Sequence, residues 1–115
     1  MNNIRNHVQL IGHLGADATT KKLEDGKLVA NARLATNEVY KNSKGDKVTN
    51  TEWHNIRAWG KTAELMEQFF RKGREVAVMG KISYSSYKDK DGVMRYTTDI
   101  VLKEFTLFGK AEKAA

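Results

Sequence analysis

Apolar and polar side chains alternate along most of this chain, and a period of two marks strands with one buried face. In Val8–Leu14, Val8, Leu10, Gly12 and Leu14 share a face, and Gly12 and Gly15 mark a bend or the close approach of another backbone. Residues 19–23 form a short second piece before a Glu24-Asp25-Gly26 turn. Across 28–40, Leu28, Ala30, Ala32 and Leu34 oppose Val29, Asn31, Arg33 and Ala35. The polar stretch 41–50 reads as an exposed hairpin loop around Gly45-Asp46, and 51–59 is the next strand. The period then lengthens. Ala63, Met66, Phe69 and Phe70 recur at helical spacing over 62–72, with Thr62 as N-cap and Gly73 closing the C-terminus. Alternation resumes over 74–87 through Val76, Val78, Gly80 and Ile82. After a charged turn at 88–92, residues 93–107 form the last strand.

The expected order is three strands, a helix and two strands, an all-β barrel with one helix. Long strands with internal glycines suit a small, strongly coiled barrel. One helix after the third strand is the arrangement of the OB-fold, a five-stranded Greek-key barrel, here with extended hairpin loops. An SH3-like barrel and a split sheet with one helix on its face fit the same order. At 115 residues the chain makes one domain, assigned to 1–107 with a short flexible tail at 108–115.

Composition narrows the function. The absence of cysteine excludes disulfide scaffolds, thiolate metal sites and thiol nucleophiles. The 20 Lys and Arg against 14 Asp and Glu give a net charge of +6, which suits a polyanionic partner. No apolar run is long enough to span a bilayer, and residues 1–7 lack a signal-peptide core, so a cytoplasmic protein without membrane contact is expected. His7, His13, His54, Asp17, Glu52 and Asp99 are the candidates for acid–base or metal chemistry. Of these, Glu52 and His54 share a face but build no metal-ligand interval, and no nucleotide-binding or hydrolase motif occurs. Neither catalysis, cofactor nor metal is expected.

The informative segment is 51–61. Its alternation sets Trp53, Asn55, Arg57 and Trp59 on one face and His54, Ile56 and Ala58 on the other. Paired tryptophans in a small barrel are often core. Here that orientation would bury Arg57 and Asn55 and expose Ile56, the worse arrangement. Turned outward, the indoles offer platforms on which unpaired bases stack whatever their identity, with a guanidinium between them for phosphate or base. Tyr40 and Tyr87 stand at the roots of lysine-rich turns (Lys41, Lys44, Lys47; Lys88, Lys90), where such a surface could continue. Arg33, Lys61, Arg71, Lys72 and Arg95 complete the polar and basic candidates.

Several strings then become specific. Val8-Gln9-Leu10-Ile11-Gly12-His13-Leu14-Gly15 resembles the opening of bacterial single-stranded-DNA-binding proteins, as do Ala30-Asn31 and Leu34-Ala35-Thr36. Thr51-Glu52-Trp53-His54, Gly60-Lys61-Thr62-Ala63-Glu64, Arg71-Lys72-Gly73 and Arg95-Tyr96-Thr97-Thr98 match that family in order. The resemblance implies an OB-fold, a homotetramer (a dimer in related primosomal proteins that recruit a helicase loader) and sequence-tolerant binding of single-stranded DNA in replication, repair or recombination. It also implies a nucleoid-associated location. It maps the stacking role onto Tyr40, Trp53, Trp59 and Tyr87 and a subunit contact onto His54. Tyr40 and Tyr87 stand where well-known members carry Trp, and Trp59 where they carry Phe; the flat π-surfaces are kept. His7 replaces a common lysine. Residues 108–115 hold no acidic tip of the kind through which many members recruit enzymes, so tip-mediated partners are not expected. Stacking and charge do not read a 2′-hydroxyl, so RNA stays open.

Overall fold

The structure, a computed structural model, describes residues 4–108. A short 3-10 turn, Ile4–Asn6, precedes strands β1 (Val8–Leu14), β2 (Thr19–Lys22), β3 (Leu28–Lys41) and β4 (Lys47–Trp59). Helix α1 (Gly60–Phe69) follows, then β5 (Glu75–Lys88) and β6 (Met94–Leu107). The strands join in the order β1-β5-β6-β4-β3-β2, and β1 also pairs with β3 through His13–Ala35 and Leu14–Leu34. That second pairing closes β1, β5, β6, β4 and β3 into a five-stranded barrel, the OB-fold expected from the element order. Neighbours around the ring are antiparallel except β4 and β6, which run parallel. The short β2 adds to the edge of β3.

The alternation read from the sequence holds inside the barrel. Leu14, Ala30, Leu34, Ile56, Val76, Val78, Ile100 and Leu102 are buried, while Asn31, Arg33 and Asn55 between them are exposed. The helix closes one end by burying Ala63 and Met66 against this core. Among the described residues no helix is long and apolar enough to cross a membrane.

Beyond the barrel the strand pairs run on as two wet arms. β3 and β4 stay in register out to Lys41–Lys47, and β5 and β6 to Lys88–Met94. Half of the 41–50 stretch is therefore strand, with the loop confined to 42–46. Both faces of the arm meet water, so apolar alternation had no reason to mark it. Each tip is tied by an acceptor side chain. Asn42 Oδ1 takes the N–H groups of Lys44 (2.9 Å) and Asp46 (3.0 Å), and Asp89 Oδ1 those of Asp91 (2.9 Å) and Val93 (3.0 Å).

The helix also differs from its expected span. It begins at Gly60, whose φ of +65° turns the chain sharply out of β4, and Thr62 lies inside it without capping it. It ends at Phe69 because Phe70 leaves the helix and buries its ring edge-on to Phe105, centroids 4.9 Å apart. Gly73 sits at φ +84° in a separate turn closed by the Arg74 N–H to the Arg71 carbonyl. Phe108, placed in the tail by sequence, is held by its N–H on the Glu75 carbonyl (3.0 Å) and by Arg74 Nε on its own carbonyl (3.2 Å). The rest of the expected tail, 109–115, lies outside the described residues.

A Cβ at Gly12 would overlap the Ala35 carbonyl oxygen where β1 crosses β3. Gly12→Ala is expected to lower unfolding free energy by about 1–3 kcal/mol, as overpacking does. A denaturant midpoint equal to that of the parent chain contradicts this closure contact.

Candidate nucleic-acid interface

The strand registers fix which side chains share the outer surface. On β3 and β4, Val29 opposes Trp59, Asn31 opposes Arg57, Arg33 opposes Asn55, and Ala35 opposes Trp53. The parallel ladder sets Asn55 beside Asp99, which in turn pairs with Ser83 of β5. One row therefore crosses four strands as Arg33, Asn55, Asp99 and Ser83. Arg33, Trp53, Asn55 and Arg57 line a common groove of about 560 Å³ with Asn31 and Asp99. This volume falls within the roughly 300–1,000 Å³ that holds small organic groups.

Trp53 stands outward, 49% exposed. Two neighbours fix its ring. The Arg33 guanidinium carbon lies over it, 4.9 Å from the centroid. On the β1 side, a Cβ at Gly15 would come within 2.6 Å of indole Cζ3. A side chain, not a backbone, is thus what makes the close approach to Gly15. Arg57 is held too, with Nε donating to Asn31 Oδ1 (3.1 Å) and Nη1 lying 3.6 Å from Asp99 Oδ2.

The other expected residues are spread wider. Trp59 ends β4 on the same face as Trp53 and is half-exposed. Tyr87 and Arg95 oppose each other on the continuation of the Asp99 face, out along the β5–β6 arm. Arg95 Nε donates to Asp89 Oδ2 at 3.0 Å. The Asp89 carboxyl is held below the ordinary carboxylate value, first by the Val93 N–H and then by Arg95. Tyr40 opposes Val48 on the reverse face of its arm, in phase with Leu34 and His54, so it does not extend the Trp53 surface directly. Arg71 reaches Asp17 Oδ2 (3.4 Å), and Asp17 lines the groove. The Lys72 backbone N–H donates to Asp17 Oδ1 (2.8 Å) and is the main cause of that carboxyl's lowered pKa. Lys61, in the first turn of α1, and the Lys72 side chain are exposed and line no part of the groove. His54 faces the other way, its Nε2 3.0 Å from Thr36 Oγ1, beside Val8, Leu10, Ile82 and Ile100.

Sequence reasoning left Asn31, Gly15 and Asp99 out of the binding set. The alternation did place Asn31 on the face of Arg33. Nothing local could place Asp99, which joins the groove only through the parallel pairing of strands some forty residues apart.

The sequence profile of the single-strand binding protein family matches residues 5–108. The chain is 42% identical over 105 residues to single-stranded DNA-binding protein 1 of Chlorobaculum tepidum, an alignment covering 90% of this chain and 65% of that protein. It is 37% identical over 108 residues to single-stranded DNA-binding protein 1 of Xylella fastidiosa, covering 93% and 79%. It spans only 60% of the single-stranded DNA-binding protein of Xanthomonas campestris. Among solved structures it superposes on a Plasmodium falciparum SSB complex with ssDNA at a TM-score of 0.81, with 29% identity over 95% of this chain and all of that one.

Gly15→Ala is expected to move the Trp53 ring while the strand keeps its conformation. Near-UV circular dichroism of the indoles should change, with the far-UV spectrum preserved. Identical near-UV spectra contradict a ring resting on Gly15.

Proposed function

Because this chain belongs to the single-strand binding protein family, we propose that it binds unpaired DNA with little dependence on sequence. Bases stack on Trp53 and Trp59, with Tyr87 extending the path along the β5–β6 arm and Tyr40 offering a separate stacking surface on the reverse face of the β3–β4 arm, and Arg33, Asn55, Arg57, Lys61, Arg71, Lys72 and Arg95 supply polar and phosphate contacts. The observation that carries this reading is the open groove in which an outward indole, 49% exposed, stands among Arg33, Asn55 and Arg57. A half-bare aromatic in water is a cost that stacking removes, and each stacked base contributes about 1–3 kcal/mol. The net charge of +6 supports the phosphate half of the interaction. The role is to hold and protect single strands in replication, repair or recombination within the cytoplasm. No catalytic step belongs to it.

The binding unit is proposed to be a homotetramer. The supporting surface lies opposite the groove. There His54 borders Val8, Leu10, Ile82 and Ile100, and Tyr84 and Tyr96 are exposed on the matching face of the second arm. A carpet of apolar and aromatic groups on strand faces is what a second copy covers.

Oligo(dT) is expected to quench tryptophan emission. The logarithm of affinity should fall with the logarithm of salt by about 0.7 for each phosphate neutralised. Trp53→Ala should weaken binding by about 1–3 kcal/mol with the thermal midpoint held. Absence of binding at low salt, measured by anisotropy of labelled DNA, overturns the reading. Light scattering should give the mass of four 13.0 kDa chains. A monomer at micromolar concentration overturns the assembly.

A further inference from the structure

We propose that Asn31 is a positioning residue: its side-chain oxygen holds the Arg57 guanidinium in its binding orientation before nucleic acid arrives, and Asn31 adds to affinity only through Arg57. The inference rests on the groove being a nucleic-acid site and names how one of its cations is prepared.

An unanchored arginine is a poor ligand for a nucleic acid. Its long side chain samples many rotamers, and freezing it on binding lowers affinity. Arg57 avoids part of that loss because two neighbours in the groove fix it. Its Nε donates to Asn31 Oδ1 at 3.1 Å, and its Nη1 lies 3.6 Å from Asp99 Oδ2. All three residues line the groove. The two anchors come from opposite sides of β4. Asn31 is the direct partner of Arg57 on β3, and Asp99 stands on β6, beside Asn55. A planar group held at Nε and drawn at Nη1 has little freedom left to turn. The Arg57 side chain is 38% exposed and that of Asp99 5%, so the groove presents the guanidinium more than the carboxylate.

The two anchors do different things. Asn31 Oδ1 is within hydrogen-bond reach and sets direction, whereas Asp99 at 3.6 Å is beyond that reach and acts by charge. A neutral amide holds a guanidinium without cancelling its charge. Arg71 and Arg95, by contrast, are held directly by carboxylates, Asp17 at 3.4 Å and Asp89 at 3.0 Å. A carboxylate on the floor of a polyanion groove also gains a reason, since Asp99 draws Nη1 from the side away from Asn31. Of the five N–H donors of Arg57, Nε–H is engaged by Asn31 and four remain on the two terminal nitrogens. Such donors suit a phosphate oxygen or any base acceptor, so the arrangement selects no base and binding stays tolerant of sequence. Asn31 has amide hydrogens of its own, and the test must separate direct contact from action through Arg57.

The test is a double-mutant cycle on the full chain, read as affinity for labelled oligo(dT) by anisotropy. Asn31→Leu keeps the side-chain size and removes the acceptor. It is expected to weaken binding by about threefold to tenfold, the effect of freezing one long side chain on association. In an Arg57→Ala background the same substitution should change affinity by less than about twofold, because the group it positions is gone. Thermal midpoints report that each variant folds, and Asn31→Ala repeats the cycle with a smaller side chain. Nitrogen–proton relaxation of the arginine Nε–H groups examines the clamp without DNA. The Arg57 signal should be rigid on the picosecond-to-nanosecond timescale in the parent protein and mobile in Asn31→Leu. An equal loss of affinity in both backgrounds overturns the positioning role in favour of direct contact. Unchanged affinity of folded Asn31→Leu, or a mobile Arg57 Nε–H in the parent protein, overturns it as well. No binding of the parent protein to any oligonucleotide overturns the underlying reading of the groove, and the clamp then stands or falls on the relaxation alone.

Discussion

Closure of the barrel depends on backbone meeting backbone with nothing between. At Gly12 a Cβ would collide with the Ala35 carbonyl, and at Gly80 with that of Val101. The second site coincides with a register shift between Met79 and Gly80 in the β5–β6 ladder. Extra curvature at such irregularities lets a short sheet bend back on itself. Once β1 reaches β3, the inner face is filled by Leu34, Ile56, Val78 and Ile100, and the outer residues of β3, β4 and β6 have a single register. The groove is a consequence of that register. A slip of one residue on β4 would send Trp53 and Arg57 inward and Ile56 into water.

The basic charge of the chain is less free than its sum suggests. Four of the arginines around the groove and arms already have partners: Arg33 on the Trp53 ring, Arg57 on Asn31 and Asp99, Arg71 on Asp17, and Arg95 on Asp89. Arg71–Asp17 is exposed on both sides and adds little to stability, while Asp99 is nearly buried beside Arg57. What the pairs share is an effect on geometry. A guanidinium already held in place loses less rotamer freedom when a ligand arrives. The lysines on the arm tips and helix have no such anchors among the described side-chain hydrogen bonds. In the proposed function they supply diffuse attraction, and the arginines supply shape.

Much of the barrel was legible because its physics is local. Alternation in 28–34 and 53–59 assigned faces correctly, since one side of each strand is dry. Where that difference in wetness disappears, so does the signal. The start of β4, residues 47–50, reads as loop in the sequence because no apolar period announces it. The helix boundaries were displaced for a related reason. Phe70 fits the helical spacing, but the pull of its ring toward Phe105 across the core is a tertiary effect. Tyr40 looked like a neighbour of Trp53 in a linear reading, and pairing with Val48 set it on the reverse face. Asp99 needed the parallel β4–β6 pairing, which joins strands far apart in sequence.

Trp53 raises a question of available surface. An indole has two faces, and Arg33 lies over one. In the proposed binding mode, a base approaching from that side has two options. It can displace the guanidinium, which then turns to phosphate, or it can settle on the guanidinium and leave it sandwiched. A planar, weakly hydrated cation tolerates both, because it stacks as readily on a base as on an indole. A lysine there would offer only a point charge and would lose the second option. In either arrangement Arg33 keeps the ring upright against Gly15 before the base arrives, so binding begins from a platform already oriented.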